Sequence, residues 1–539
     1  MQDAGLKIKI FHLPGTWSTW WRGSFPCPVP PYGMGVITAA LRQNRYFVEQ
    51  EDLLANMGLS RKNWRGNPEI LMHRKYANLC LSTGIKECRL NLLAKEILGT
   101  ASYNGFNVIG FSVLSYPQFL FALLLAEKIK QETKSLIVFG GAFITLQGKE
   151  FFYKYAFIDY MILGDGETPF LKLLDFLKGE ADINEVPGLL YRDNTGAVHA
   201  NSREFYDIEN MPLPDFDGLE LEGYKVRGQE PKLKKEIILP YQISRGCAHR
   251  CSFCAKQGFH KISIKSSKKV IRELKEYKER YQTNYFDFCD WTINLSYEHM
   301  DRLCDLFLKE IPDINWYGWA RIDCLDDRLL KKMKRAGCIG LRFGIESGSD
   351  KILQLMKKDV ASEQAAETLR LAYEAGIETY ISLIVGFPHE TDSDVEQTIK
   401  FIEKNSKYVT EIVSLNTFLL EPFSPMYNNP NEFKIENLRV CNRAEHRNYF
   451  IFDEIGGLKW RQKEKQQKKD YRRVLKALYY NILSKHPSYN IFPNCLISRR
   501  VPFLAWAFYT KNKYGSLLKI FRSGKIKALF NFFLIKDND

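Results

Sequence analysis

The 539 residues carry 77 Lys/Arg against 63 Asp/Glu, a formal net charge of +14, with 45% hydrophobic side chains. That is more apolar material than one ordinary core holds, so two or three domains are expected and a disordered chain is excluded. The 12 cysteines stand mostly alone rather than in the even framework of a small secreted scaffold, which points to a reducing, cytoplasmic setting; no basic-then-apolar leader is expected, and the longest apolar run, near 119–126, is far short of the roughly 18–20 residues of a membrane span.

In chain order, short apolar runs at 7–11, 108–114, 136–141 and 160–167 alternate with helical patterns at 34–45 and 116–132. Short buried strands separated by amphipathic helices predict a doubly wound parallel sheet, here a Rossmann-like domain over 1–180. Residues 181–232 read as a hairpin (PGLLYRDNTGAV) followed by an extended, proline-marked linker (MPLPDF). A second β/α series begins with 236–244 and continues at 284–294, 314–323, 340–348, 378–388 and 411–420. Six strands with intervening helices predict a partial (β/α)6 barrel over 233–427, with its site at the strands' C-terminal ends. The remainder, 428–539, reads as a separate helical, basic and aromatic region without strands. Residues 459–539 hold 19 Lys/Arg against 4 Asp/Glu, so the basicity belongs to this tail.

One tight cysteine group exists. In SRGCAHRCSFC, Cys247, Cys251 and Cys254 follow the first strand of the second series at CxxxCxxC spacing. Thiolates suit soft metals, and a 4Fe–4S cluster with three local ligands keeps one iron open for a substrate. A Cys3His zinc knuckle completed by His249 or His260 is the alternative.

Together with ARID, GIESG and GFP at later strand ends, and PPYGMG, GGAFIT and GDGE in the first domain, this group resembles the radical S-adenosylmethionine superfamily over about 1–427. The closer likeness is to its cobalamin-binding-domain class, which includes class B methylases and the anaerobic magnesium-protoporphyrin ester cyclase. The resemblance implies an enzyme in which a 4Fe–4S cluster on Cys247, Cys251 and Cys254 chelates S-adenosylmethionine and cleaves it to a 5′-deoxyadenosyl radical. Phe253 lies inside the motif. Glu346 and Ser347 would contact the ribose and methionine parts, Arg321 would pair with the methionine carboxylate, and the Gly386-Phe387-Pro388 backbone would approach the adenine. Asp290 and Trp291 would end the second strand facing the site.

The resemblance further implies cobalamin. Ser112, Val113 and Leu114, with Gly140 and Gly141, match the elements that take up its nucleotide tail. The axial-ligand motif lacks its Asp although His12, Pro14 and Gly15 remain, so His12 reads as a loop residue. The expected outcome is methyl transfer, or ring or C–C bond formation, at an unactivated carbon of a small-molecule or lipid-like substrate, with flavodoxin or ferredoxin as reductant. Residues 499–539 interleave aromatics with Lys and Arg; they read as a helix packed on the barrel, as a membrane-surface helix, or, on charge alone, as a nucleic-acid contact. Two other functions are weighed. A tRNA methylthiotransferase would need a second cluster from Cys27, Cys80 and Cys88, whose spacing differs; a zinc-stabilised nucleic-acid-binding protein would need only the knuckle.

Overall fold

The computed structural model describes residues 5–13, 29–53, 99, 101–224, 236–258, 261–440 and 450–482. Pro14, Gly15, Cys27, Cys80, Cys88, His260 and the 499–539 tail lie outside the described residues.

The first domain is built on β1 (Lys7–His12), β2 (Phe47–Asp52), β3 (Val108–Ser112), β4 (Leu136–Gly140) and β5 (Tyr160–Ile162), parallel and ordered β2-β1-β3-β4-β5. Successive side chains go to opposite faces. Ile8, Ile10, Val108, Val138 and Ile162 pack with helices α1 (Tyr32–Gln43) and α4 (Glu167–Leu177). Phe11, Ile109, Phe111, Ile137 and Phe139 pack on the other side with helices α2 (Tyr116–Glu132) and α3 (Ala142–Lys154). β2 escaped the sequence reading because charges mask it. Its Glu51 is buried with Lys9 of β1 meeting it at 2.9 Å. The hairpin assigned to the linker belongs to this sheet: β6 (Leu189–Arg192) pairs antiparallel with β5, and β7 (Val198–Ala200) with β6.

All six strands of the second series are present as one parallel sheet. β8 (Ile238–Tyr241), β11 (Tyr285–Phe288), β12 (Asn315–Ala320), β13 (Cys338–Glu346), β14 (Glu378–Val385) and β15 (Glu411–Thr417) lie side by side in that order. A short ribbon of β9 (Ser244–Arg245) and β10 (Ser263–Ile264) brackets the cysteine loop. Ile238, Tyr317, Tyr380 and Val413 fill the concave side. Leu239, Phe286, Phe288, Trp316, Leu341 and Phe343 face the surrounding helices, several of which start on side-chain caps from Ser266, Ser296, Asp326 and Thr391.

The region after 428 departs from its expected description. It opens with an antiparallel pair, β16 (Ile435–Val440) and β17 (Phe450–Glu454), hidden from sequence reading by the polar alternation of IENLRV. It is also not separate. The helix Trp460–Asn481 sends Val474, Ala477 and Leu478, followed by Ile482, into the barrel core while its Lys and Arg, buried Lys463 apart, lie toward the outside. Among the described residues no helix is long and apolar enough to cross a membrane.

The strand that leads into the cysteine loop rests on a buried charge network. Lys265 is fully buried with Nζ 2.7 Å from Glu273 Oε2, the same carboxylate that accepts from Tyr241 Oη at 2.6 Å at the end of β8, while Lys269 meets Oε1 at 2.9 Å. Glu273→Ala leaves the Lys265 ammonium buried without its anion, so urea denaturation should show a loss of about 3–5 kcal/mol; an unchanged midpoint would mean that the network does not hold β8.

Candidate functional site

The cysteine loop is fixed from behind. Ser252 between the thiols is fully buried; its N–H donates to Met356 O (2.9 Å), its hydroxyl to Leu355 O (2.8 Å), and its carbonyl accepts from Met426 N (2.9 Å). These bonds tie the loop to the segment after β13 and to the segment after β15. Cys247, Cys251 and Cys254 are unbridged and partly buried. Burial pushes the Cys251 and Cys254 thiols up, and the neighbouring thiols push in the same direction, so the three stand within coulombic reach of one another. Lys358 and Arg321 oppose the shift at Cys251, and the Lys256 backbone N–H and ammonium oppose it at Cys254. Three soft donors in a ring of cations fit an anionic iron–sulfur cluster, in which each thiolate takes its own iron. Among the described residues no three His, Cys, Asp or Glu side chains close on a single point as one mononuclear ion requires. His249, a candidate fourth zinc ligand, instead lies 3.7 Å from Asp323.

Asp290 serves the loop rather than facing the site. Its buried carboxylate accepts from Ile243 N (3.1 Å) and from the Ser244 N–H and hydroxyl (2.6 Å for the hydroxyl), fixing the chain just before Cys247; burial pushes it up to about 6 against those bonds. Trp291 lies under the Lys256 ammonium, 5.1 Å from the ring centre.

Glu346 ends β13 with φ 66°, at a register shift between β13 and β14. Such irregularities re-aim a side chain at a strand end. Its buried carboxylate lies 3.3 and 3.4 Å from Ser382 Oγ and 4.0 Å from Lys358 Nζ; burial pushes it above the ordinary range while Lys358 pulls it back. Ser347 is used by the turn: its hydroxyl accepts from Ser349 N at 3.1 Å and meets Thr398 Oγ1 at 3.2 Å. Arg321 is also engaged. Its Nε binds Asp323 at 2.6 Å and Nη2 donates to Lys358 O at 2.7 Å, so only Nη1 turns toward the loop, 3.9 Å from Cys251 Sγ. Lys358 and Ser382 carried no sequence signal, because neither lies in a motif.

Gly386, Phe387 and Pro388 are buried against the C-terminal helix. Gly386 has φ 77°, and a Cβ there would fall 2.1 Å from Gln467 Cγ. Gln467 Nε2 donates to Gly386 O at 3.0 Å, and Lys463 Nζ donates to Phe387 O at 2.5 Å while pairing with Glu454 at 2.7 Å. The Gly386 and Phe387 carbonyls thus both accept from the C-terminal helix. The Phe387 ring meets Phe253 edge-on at 6.5 Å and Phe418 at 4.9 Å, carrying the cysteine motif and the turn into one apolar cluster.

In the first domain the strand order reverses between β1 and β3, the crevice where open parallel sheets take ligands. His12 and Ser112 end these strands as register partners, and Ser112 pairs likewise with Gly140. Leu114, just beyond, is 52% exposed. Gly141 has φ 106°, with no room for a Cβ against Val113 O at 2.5 Å. Small residues at these strand ends leave room there that would suit the nucleotide tail of a cobalamin. His12 is the last residue of β1, not a loop residue. The carboxylate missing from its own loop comes from the next strand, where Asp52 Oδ1 lies 3.2 Å from Nδ1 without hydrogen-bond alignment; Gln118 Nε2 stands 3.0 Å from Nε2. Both ring nitrogens therefore have protein neighbours.

Residues 241–402 match the model of the radical SAM superfamily. An uncharacterized methyltransferase of Pyrococcus horikoshii is 29% identical over 286 residues, which is 52% of this chain and 60% of that protein. The anaerobic magnesium-protoporphyrin IX monomethyl ester cyclase of Rubrivivax gelatinosus is 28% identical over 52% of each chain. The chain thus spans about half to three-fifths of these relatives. The cobalamin-dependent S-adenosylmethionine radical enzyme OxsB, solved with aqua-cobalamin and S-adenosylmethionine, shares the fold with a TM-score of 0.62 at 16% identity, covering 94% of this chain and 75% of that one.

One group near the turn titrates in an accessible range. Glu390 accepts from the Gly386 N–H and is buried, which pushes its carboxyl up to about 7 despite that bond and the Lys463 charge. Its unfolded value is about 4.3, so between these values the folded chain binds more protons than the unfolded one, and this group's contribution lowers stability as pH rises through the window. Glu390→Gln should remove that slope, gaining about 3–4 kcal/mol on the wild type between pH 4.5 and 7.5. Urea unfolding across the range checks it; parallel curves for the two proteins would assign the titration elsewhere.

Proposed function

We propose that this chain, whose residues 241–402 form a radical SAM domain, is a cobalamin-dependent enzyme acting on an unactivated carbon, by methyl transfer or by ring or C–C bond formation. The observation that carries the reading is the cysteine loop. Three thiols stand together at the C-terminal edge of a six-stranded parallel sheet, with Lys358, Arg321 and the re-aimed Glu346 around Cys251. Cys247, Cys251 and Cys254 would hold a 4Fe–4S cluster, which would supply the single electron needed for reductive cleavage of S-adenosylmethionine to methionine and a 5′-deoxyadenosyl radical able to take a hydrogen atom from substrate.

The protein's own residues hold and orient. Arg321 Nη1 donates toward Cys251 Sγ and, with Lys358, offsets thiolate charge. Glu346, held between Ser382 and Lys358, presents a carboxylate that accepts hydrogen bonds from the hydroxyl or ammonium groups of S-adenosylmethionine. Ser347 supports the turn behind Glu346, and the Gly386-Phe387-Pro388 turn forms an apolar wall with Phe253 for the adenine. The crevice lined by Ser112, Leu114, Gly140 and Gly141 would take the corrinoid. A low-potential donor of the flavodoxin or ferredoxin type, a small-molecule substrate and a cytoplasmic setting complete the reading, and the basic tail as a membrane-surface contact rests on its sequence alone.

Anaerobic reconstitution with iron, sulfide and cobalamin tests it. The wild type should take up about four irons per chain, and with dithionite and S-adenosylmethionine form 5′-deoxyadenosine; Cys251→Ala should lose both the iron and the product. Accompanying S-adenosylhomocysteine would specify methyl transfer. Zinc without iron in anaerobically prepared protein would overturn the proposal, and about eight irons would favour a second cluster and the methylthiotransferase reading.

A further inference from the structure

Two segments of the first domain, PPYGMG and GDGE, have no part in the cofactor contacts above, yet both meet the barrel at one place. Arg245, two residues before Cys247, is buried. Its Nη1 lies 2.9 Å from Asp165 Oδ1 and its Nη2 2.5 Å from Glu167 Oε1, both carboxylates being buried as well. Nη2 also donates to Met211 Sδ at 3.2 Å and Nε to Gln242 Oε1 at 3.2 Å, while Asp165 Oδ2 accepts from Tyr206 N at 3.1 Å. Tyr32, which opens α1, donates to the same Met211 sulfur at 3.5 Å, and its phenol feels Cys289, Arg245, Asp290 and Glu167.

The placement of these residues is informative. Asp165 and Glu167 lie just beyond β5, at the C-terminal edge of the first sheet; Arg245 follows β8, and Cys289 follows β11, at the C-terminal edge of the second. Parallel sheets collect their ligands at those edges. The contact therefore ties the two ligand-bearing edges together. A buried cluster of one cation and two anions is a poor source of net stability, since apolar residues of similar volume commonly serve as well or better. Its directional, charge-assisted bonds fix a position instead.

We propose that Asp165 and Glu167 form a socket for Arg245 that sets the N-terminal crevice against the cysteine loop, making all three positioning residues. The proposal deepens the functional reading and rests on it for the purpose of the spacing. Its test does not require either cofactor. Tyr153 on α3 is 61% exposed and Tyr373 on Ser362–Glu374 is 51% exposed; each is replaced in the full chain by p-acetylphenylalanine carrying a nitroxide, and the distance between the labels is read by double electron–electron resonance.

The otherwise unmodified chain should give one narrow distance distribution. Asp165→Asn with Glu167→Gln should at least double its width while circular dichroism stays native, Arg245→Met should broaden it in the same way with an apolar side chain filling the space, and Arg245→Lys should restore most of the narrowness. An unchanged width in the folded double variant and in Arg245→Met would overturn the socket. Failure of the wild type to take up iron or corrinoid would sink the functional reading instead, and the distance measurement would still decide the socket. With both cofactors loaded, the spin coupling between cob(II)alamin and the reduced cluster should change in the same variants.

Discussion

A parallel strand buried on both faces has no room for chemistry along its length, because every side chain there meets a helix or the opposite wall. Polar groups gather where the ladder ends, at the C-terminal edge, and that constraint organises both halves of this protein. In the first sheet it brings His12, Ser112 and Gly140 side by side at the ends of adjacent strands. In the second it places the cysteine loop after β8, Asp290 after β11, Arg321 after β12, Glu346 at the end of β13 and Gly386 after β14. Residues scattered over nearly 140 positions become neighbours because their strands are in register.

Charge burial at those edges follows one rule throughout. Each buried carboxylate described around the site has an assigned donor or cation: Asp290 the amides before Cys247, Glu346 Ser382 and Lys358, Glu454 Lys463 and the His389 N–H. Burial alone would drive all of them toward neutrality. The outcome differs with the partner: the Lys463 ammonium at 2.7 Å holds Glu454 below its ordinary value, whereas Glu390, with a backbone amide and a more distant lysine, stays raised. The cations around the thiols belong to the same pattern, since Lys358 and Arg321 lower what burial raises at Cys251.

The C-terminal helix changes how the Gly386-Phe387-Pro388 turn is understood. In the sequence its glycine suggests open space for a ligand. In the fold that space contains Gln467, and the Gly386 and Phe387 carbonyls accept from Gln467 and Lys463. Glycine is needed for a left-handed backbone and for a protein side chain that approaches too closely for any Cβ. What the turn offers beside the cysteine motif is the apolar face that Phe387 shares with Phe253. The barrel mouth is thus completed by residues some eighty positions further along the chain.

What the sequence by itself determined is whatever depends on local pattern. The six barrel strands and four of the five parallel strands of the first sheet were legible, since a strand buried on both faces is an apolar run bounded by turns, and the cysteine motif was legible because its spacing is confined to one loop. β2 was lost to Glu49, Glu51 and Asp52, charges whose partners lie elsewhere in the chain, Lys9 for the two glutamates and Tyr224 and His12 for the aspartate, and the ribbon of β16 and β17 to its mixed polarity. The tertiary structure alone decided the pairings. Asp52 comes to His12 from the next strand, Lys358 and Ser382 to Glu346 from later elements, and Arg245 to Asp165 and Glu167 across two domains. It also engaged the Arg321 fork with Asp323 and the Lys358 carbonyl, and the Ser347 hydroxyl with its own turn, where sequence reasoning had left both free for a ligand. The physical reason is common to these cases: a motif specifies which groups a residue carries, but which of its hydrogen bonds remain available is settled only when every other buried polar group has taken its own.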